Sequence, residues 1–510
     1  MFRRIRSYCL FGIKAVPVSV EVDAAQGLPG FTLVGLPDNA VRESRERVVS
    51  AIRSIGKVVT GFRTTVNLSP ADLRKEGSAL DLPLAIGLLV STGEIEVPQL
   101  DRYVFVGELS LDGLLKPVRG VLSIAMNLST EHDCILVIPH GNVQEASLVE
   151  GLRYVCASSL GECVEILERN SSQDVKIAKG ISSCHVSVSN EIPDFKNVVG
   201  MDGVKRALEI AAAGAHNFLL VGSPGAGKTL CAKCLPGILP EMTEQEILET
   251  TRIHSCALRA GDSDAFKPVL TRPFRSPHHS ASMVSLVGGG TRLLPGEASL
   301  AHNGVLFLDE LPEFNRSVLE ALREPMEEGE ISVSRASGTV IWPARFMMGA
   351  AMNPCPCGYS MDPKRECTCL PEARKRYREK ISGPLLDRID IQVSVPPVDA
   401  AMFVLKGRGE SSADIRRRVC KARAVQRERF RNLPFKSNAE MSSEYARKFA
   451  EMTPAVEHFA VNAAAKMDLS ARGYFRLLKV ARTIADLRGT SAVDIMDLSE
   501  ALRYRAFRGS

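Results

Sequence analysis

Phe218-Leu-Leu-Val-Gly-Ser-Pro-Gly-Ala-Gly-Lys-Thr229 is the stretch that decides the fold. Its first four residues are apolar and predict a buried parallel strand. Gly222, Gly225 and Gly227 let the backbone turn tightly and aim its N–H groups at one point, with Ser223, Pro224 and Ala226 completing the loop. Lys228 and Thr229 stand where a helix should begin, the lysine for the β- and γ-phosphates and the threonine hydroxyl for Mg²⁺. The spacing G-x-x-x-x-G-K-[ST] in a strand–loop–helix setting implies ATP as ligand. A glycine loop without nucleotide is the alternative reading.

A strand ending in carboxylates should lie beside such a loop. Val305-Leu-Phe-Leu-Asp309-Glu310 supplies four apolar residues and then two acids. Asp309 would bind Mg²⁺ through water, and Glu310 would orient the attacking water as a general base. Arg345-Phe-Met-Met-Gly-Ala-Ala-Met-Asn353 reads as a further buried strand, ending on an amide that would reach the γ-phosphate or the attacking water.

At 510 residues the chain is too long for one core, and two to four domains are expected. A net charge of +5 means that any basic partner surface must be local. No apolar run predicts a membrane span or a targeting segment. Thirteen cysteines, an odd number, point to reduced thiols and a cytoplasmic address.

Ahead of the phosphate loop, Ala15-Val-Pro-Val-Ser-Val-Glu-Val-Asp23 alternates like a half-buried strand, and Asp38 is a candidate N-cap. Strands and helices then follow to about residue 168, giving an α/β domain without a phosphate loop of its own. Tyr103 to Leu109 is expected to be one strand. Lys75-Glu-Gly-Ser-Ala-Leu-Asp-Leu-Pro83 and Val106-Gly-Glu-Leu-Ser-Leu-Asp-Gly113 resemble the core of the Lon-protease-type domain. That family works with a Ser–Lys dyad. The resemblance sets its serine on Ala79 and its lysine on Leu122, so both chemical groups are missing and proteolysis is disfavoured.

Residues 169–196 are rich in Ser, Asn and charge and read as a linker, so the domains are expected at 1–168, 197–396 and 397–510. Two basic elements lie in the middle domain. Thr271-Arg-Pro-Phe-Arg-Ser-Pro-His-His-Ser280 carries Arg275, His278 and His279, either reaching toward an anion or packed as a solvated loop. Gly329-Glu-Ile-Ser-Val-Ser-Arg-Ala-Ser-Gly-Thr-Val-Ile-Trp342 is a hairpin pattern with Arg335 at its tip.

A hairpin just before the third strand, with an inserted loop upstream, resembles the AAA+ clade of magnesium chelatase and MCM-type helicases. The whole chain is similar to the ComM/YifB family of magnesium-chelatase-related AAA+ ATPases. The most specific strings are Arg272-Pro-Phe-Arg-Ser-Pro-His-His-Ser280, Pro295-Gly-Glu-Ala-Ser-Leu-Ala-His-Asn-Gly304 and Ile381-Ser-Gly-Pro-Leu-Leu-Asp-Arg388-Ile-Asp390. The resemblance implies three α/β and helical parts: a Lon-like domain, a P-loop ATPase domain and a C-terminal helical domain. It makes Asn353 a sensor, Arg388 an arginine finger acting on a neighbour's γ-phosphate, and Arg472 the sensor-2 arginine. An intramolecular ion pair is the other reading of Arg388. It further implies a homo-hexameric ring moving on DNA, gripping it with Arg335 and secondarily with Arg275, His278 and His279. Branch migration in recombination, in the setting of natural transformation and with recombination proteins as partners, is the expected task. A chelatase-like or protein-remodelling ATPase without DNA is the alternative.

Cys355, Cys357, Cys367 and Cys369 form two C-x-C pairs that fit a structural Zn²⁺, with free thiols or an iron–sulfur cluster as alternatives. Arg416 to Arg431 holds eight Lys or Arg residues in a helical pattern, a solvated face or a phosphate-tracking one.

Overall fold

The architecture comes from a computed structural model. It describes residues 1–505 except 60, 73, 76, 132, 182–191, 259–265, 291–292, 336–337 and 398–408, with the backbone only of Arg335.

The first sheet is built on a long hairpin, β1 (Phe2–Phe11) and β2 (Lys14–Gln26), paired from Phe2 opposite Asp23 to Phe11 opposite Lys14. Val18, Val20 and Val22 point inward while Ser19, Glu21 and Asp23 do not, as the alternation requires. β3 (Gly30–Val34), β4 (Phe62–Ser69), β5 (Tyr103–Phe105), β6 (Ile135–Pro139), β7 (Arg153–Ala157) and β8 (Lys176–Ile177) complete the order β8-β7-β6-β5-β1-β2-β4-β3. Successive side chains enter two separate cores: Tyr103 and Phe105 join one apolar cluster, Val104 and Val106 the other. The helix Asn39–Ser54 starts on the expected cap, with Asp38 accepting from the Val41 N–H at 2.8 Å.

Two details differ from the sequence reading. The strand from Tyr103 stops at Phe105, and Glu108–Leu109 pairs with Leu115–Lys116 instead. Gly107 is wedged among Leu82, Leu115 and Pro139, and the Leu109 N–H donates to buried Asp81 at 3.2 Å, so the chain leaves the sheet there. The start of the presumed linker also belongs to the first sheet. β8 pairs with β7, and Ala178 exchanges backbone hydrogen bonds with Leu152 and Gly151.

The second sheet holds β9 (Phe218–Gly222), β10 (Phe274–Arg275), β11 (Val305–Leu308), β14 (Met347–Met352) and β15 (Ile391–Val395). Between β11 and β14 lies a separate hairpin, β12 (Glu330–Arg335) and β13 (Gly338–Pro343), closed with Arg335 opposite Gly338. The main sheet runs β10-β11-β14-β9-β15 with every pair parallel. β9, β11 and β14 are buried throughout, the reason they read as unbroken apolar runs. Their carboxyl ends are neighbours, and ligands of open parallel sheets bind at that edge.

The C-terminal part is helical: Ser412–Arg429, Ser443–Ala450, Pro454–Lys466, Ala471–Arg488 and Ile495–Arg503. Leu477, Leu478 and Ala481 share a core with Leu208, Ala211 and Ala212 of the helix Asp202–Gly214, which precedes β9. Among the described residues no helix is long and apolar enough to cross a membrane.

The N-terminal part docks on the second. Gly12, at φ +61, has no room for a Cβ beside Val340 of the hairpin, and Gly338 at the hairpin's closed end abuts the Phe11 ring. Arg252 donates to Ser123 Oγ at 2.9 Å and to the Ile13 carbonyl at 2.8 Å.

Candidate active site

The loop after β9 turns through Gly225 (φ +76) and Gly227 (φ +82), both in the left-handed region that favours glycine. The helix Lys228–Cys234 begins immediately. Lys228 Nζ donates to the carbonyls of Gly222 (2.7 Å) and Ser223 (2.9 Å) and to Asn353 Oδ1 (3.1 Å). Burial pulls its pKa below the usual lysine range, against the opposing pull of Asp309 and Glu310. Thr229 Oγ1 donates to Asp309 Oδ2 at 2.6 Å, so the hydroxyl and carboxylate suited to one Mg²⁺ are already side by side. Ser223 Oγ is buried with no hydrogen-bond partner among the described residues, which fits a loop built to meet a polar ligand. Three short motifs spread from Gly222 to Asn353 thus meet at one sheet edge.

Glu310 adopts φ +55 at the start of a short turn, with its side chain 58% exposed. Its carboxylate is met by His279 Nδ1 at 3.1 Å. The His279 ring lies 4.0 Å from that of His278 and edge-on to Phe314. The sequence reading had His279 reaching for an external anion; in the structure it faces the candidate general base. Spacing along the chain carries no signal for this, because the contact exists only once β10 has paired beside β11.

Arg388 is 4% exposed and extends to Glu327 Oε1 at 2.5 Å and to the Pro384 carbonyl at 2.7 Å. Arg472, in the first turn of Ala471–Arg488, binds the same Glu327 oxygen. The two arginines are therefore brought together, on a carboxylate that no motif had marked.

The other basic candidates differ from one another. Arg275 makes a two-pronged pair with Glu297 at 2.6 and 2.8 Å, and His278 bonds Ser280 Oγ at 2.8 Å. Arg335 has its backbone at the closed end of the hairpin, while its side chain lies outside the described residues. On the basic helix, Arg416 pairs with Glu241, Arg418 with Glu209 and Glu410, and Arg429 with Asp486. Arg423 donates to the Ala212 carbonyl at 3.1 Å. Glu209 and Ala212 lie on the helix Asp202–Gly214 and Asp486 on the helix Ala471–Arg488, so these residues tie the basic helix to its neighbouring helices.

Just past Asn353 the four cysteines gather, with ligand atoms all within 4.8 Å of one another. Cys355 Sγ lies 3.3 Å from Cys357 Sγ and 3.6 Å from Cys367 Sγ, and Cys357 Sγ lies 3.5 Å from Cys367 Sγ. The Tyr359 backbone N–H holds the Cys357 thiol down to about 6.

A family model described as magnesium chelatase, subunit ChlI, matches residues 194–403, the segment holding this site. Related models cover residues 20–142 (subunit ChlI of Mg-chelatase) and 409–505 (subunit ChlI, C-terminal). "Competence protein ComM" of Haemophilus influenzae is 43% identical over 506 residues, covering 98% of this chain and 97% of its own. YifB of Escherichia coli is 41% identical over 511 residues, covering 98% and 96%. The chain belongs to the ComM/YifB family of magnesium-chelatase-related proteins. The magnesium-chelatase 67 kDa subunit of Chlorobaculum tepidum is more distant, 26% identical over 162 residues, 31% of this chain and 23% of that one. ComM/YifB membership thus extends over both sheets and the C-terminal helices, and the parallel sheet is that of an AAA+ module.

Proposed function

We propose that this protein is an ATP-hydrolysing AAA+ motor, assembled as a homo-hexamer in the cytoplasm, that moves on DNA and promotes branch migration during recombination of incoming DNA. The observation that carries the hydrolytic half is the meeting of Lys228, Thr229, Asp309, Glu310 and Asn353 at one sheet edge. Near-full-length similarity to a protein named for competence supports the DNA half.

On this reading Mg²⁺ supplies charge neutralisation for the phosphates when bound between Thr229 and Asp309. Lys228 and the loop N–H groups bind the phosphate chain. Glu310 accepts the proton of the attacking water, and His279 positions its carboxylate. Asn353 orients water against the γ-phosphate, Arg388 reaches a neighbouring subunit's γ-phosphate, and Arg472 touches the nucleotide phosphates as the sensor-2 arginine. ATP and Mg²⁺ are then the working cofactors, with one structural Zn²⁺ on the four cysteines. DNA is the track and recombination proteins are the candidate partners. A chelatase-like or protein-remodelling ATPase without DNA is the second reading, favoured by the description of all three family models.

The discriminating experiment measures ATP hydrolysis with and without single-stranded and branched DNA, alongside strand exchange on a labelled four-way junction. Wild-type protein should be stimulated and move the junction. Glu310→Gln should bind ATP and do neither. Robust hydrolysis indifferent to every DNA would favour the second reading.

A further inference from the structure

We infer that a Zn²⁺ on Cys355, Cys357, Cys367 and Cys369 is the strut that fixes Asn353 against the phosphate loop, so that the metal governs turnover rather than merely clipping a surface loop. This rests on the ATPase reading and extends it to a site outside the nucleotide motifs.

Four sulfurs about 2.3 Å from a common centre define a tetrahedron with edges of about 3.8 Å. The three sulfur separations here, 3.3, 3.5 and 3.6 Å, are slightly shorter, and all four ligand atoms fall within 4.8 Å. That is room for one ion, too little for a cluster of several irons. Softness and tetrahedral geometry favour Zn²⁺.

Residues 354–370 contain no helix or strand. A stretch of that length needs something other than a backbone ladder to hold it. Its contacts show what depends on it. Cys355 is fully buried, two residues beyond Asn353. Gly358, at φ +86, packs so closely on Pro224 of the phosphate loop that a Cβ would lie 2.5 Å from Pro224 Cδ. Beyond Cys369 the chain enters the helix Pro371–Glu379, whose buried Tyr377 hydroxyl lies beside the Asn353 backbone N–H. The four thiolates therefore pin a loop that leaves from Asn353, braces Pro224 and returns to Asn353. The amide bonded to Lys228 Nζ is held from both sides.

The test is metal analysis of the full-length protein purified without chelators, followed by the Cys367→Ser/Cys369→Ser double variant. Wild type should carry about one zinc per chain, and the variant none. Loss of the strut should leave nucleotide affinity within about threefold and lower kcat by about 10- to 100-fold, as expected for sub-ångström misplacement of a group facing the reaction. Amide exchange should accelerate at 347–353 and 371–379. Serine variants that fail to fold are bypassed by stripping wild type with a zinc chelator and restoring it with ZnCl₂, where kcat should fall and recover. Iron, or no metal, in fresh protein overturns the assignment of the ion. A zinc-free protein with wild-type kcat and unchanged exchange at 347–353 overturns the strut. If zinc-loaded wild type hydrolyses no ATP, the motor reading fails, while zinc content and exchange still judge the strut.

Discussion

Glu327 offers the sharpest perturbation. Its carboxylate receives both Arg388 and Arg472, one of them almost wholly buried. If Arg388 serves a neighbouring subunit, as proposed, it must exchange this internal anion for a phosphate, and Glu327 then competes with assembly of the composite site. Removing one partner of a buried pair costs about 3–5 kcal/mol. Glu327 is 38% exposed, and water takes over part of its role, which lowers the figure for Glu327→Gln to about 1–3 kcal/mol. Two consequences follow with opposite signs. The isolated chain should be less stable, with a double-mutant cycle against Arg388→Ala returning a coupling of that size. The assembled ring should be favoured, since the state that releases Arg388 no longer breaks the pair. A bias of about 1–3 kcal/mol shifts an equilibrium about 5- to 150-fold. The assay is specific ATPase activity against protein concentration, where the half-maximal concentration should fall at least fivefold with the plateau unchanged. An unmoved midpoint with an unmoved melting curve would refute the reasoning, because Glu327 would then hold nothing that assembly needs.

Three further outcomes are expected. Mixing Arg388→Ala with excess Lys228→Ala should partly restore ATPase, each chain supplying what the other lacks; no recovery in demonstrably mixed rings counts against a finger acting on a neighbour. Arg335→Ala should keep basal ATPase and ring assembly while losing DNA stimulation, and the salt dependence of DNA binding should flatten by roughly one unit of slope; normal junction movement would place the grip elsewhere. Glu249, whose carboxylate lies 3.4 Å from His302 Nε2, has its carboxyl lowered to about 2. A depressed carboxyl stabilises the fold above its unfolded pKa and loses that stabilisation as pH falls through the folded value. After discounting for exposure, about 1 kcal/mol should fade between about pH 4.5 and 2, and Glu249→Gln should flatten that limb in a thermal melt.

The convergence of the candidate nucleotide site was legible because each of its parts is local. A strand, its terminal acid and a glycine loop are each written in a few consecutive residues, and parallel pairing then brings their ends together. The hairpin was legible for the same reason: its arms alternate and its closing turn is short. Illegible were the contacts that need two distant segments at once. Nothing near Glu327 marks it as the anchor of two arginines, 61 and 145 residues further on. Likewise the regular spacing of Arg416, Arg418, Arg423 and Arg429 shows a basic helix, yet their partners at Glu241, Glu209, Ala212 and Asp486 come from other elements. Charge periodicity reports a face, and only packing reports what the face is spent on.

The N-terminal part makes the same point at larger scale. Its helix Val121–Leu128 carries Leu122 where the Lon-type resemblance sets a lysine, and that side chain lies in the apolar core. The Leu122 backbone N–H donates to Glu145 at 3.0 Å, and Ser255 from the ATPase part donates to the same carboxylate at 2.7 Å while accepting from the Gly120 N–H at 3.1 Å. Burial raises the Glu145 carboxyl above its ordinary range, so it holds a proton more readily than in water, and the hydrogen bonds around it offset the cost of burying it. The same helix, Glu244–Ala257, supplies Arg252, whose guanidinium spans Ser123 and the turn at Ile13. That turn in turn supports Val340 and the closed end of the hairpin. One continuous path thus runs from the end of the helix that bears Leu122, across the domain junction, to the element proposed to grip DNA. A rigid brace needs buried polar groups that are fully partnered, and Glu145 with Ser255 is such a group. The contacts around Leu122 join the two parts, and the hairpin packs against the same turn.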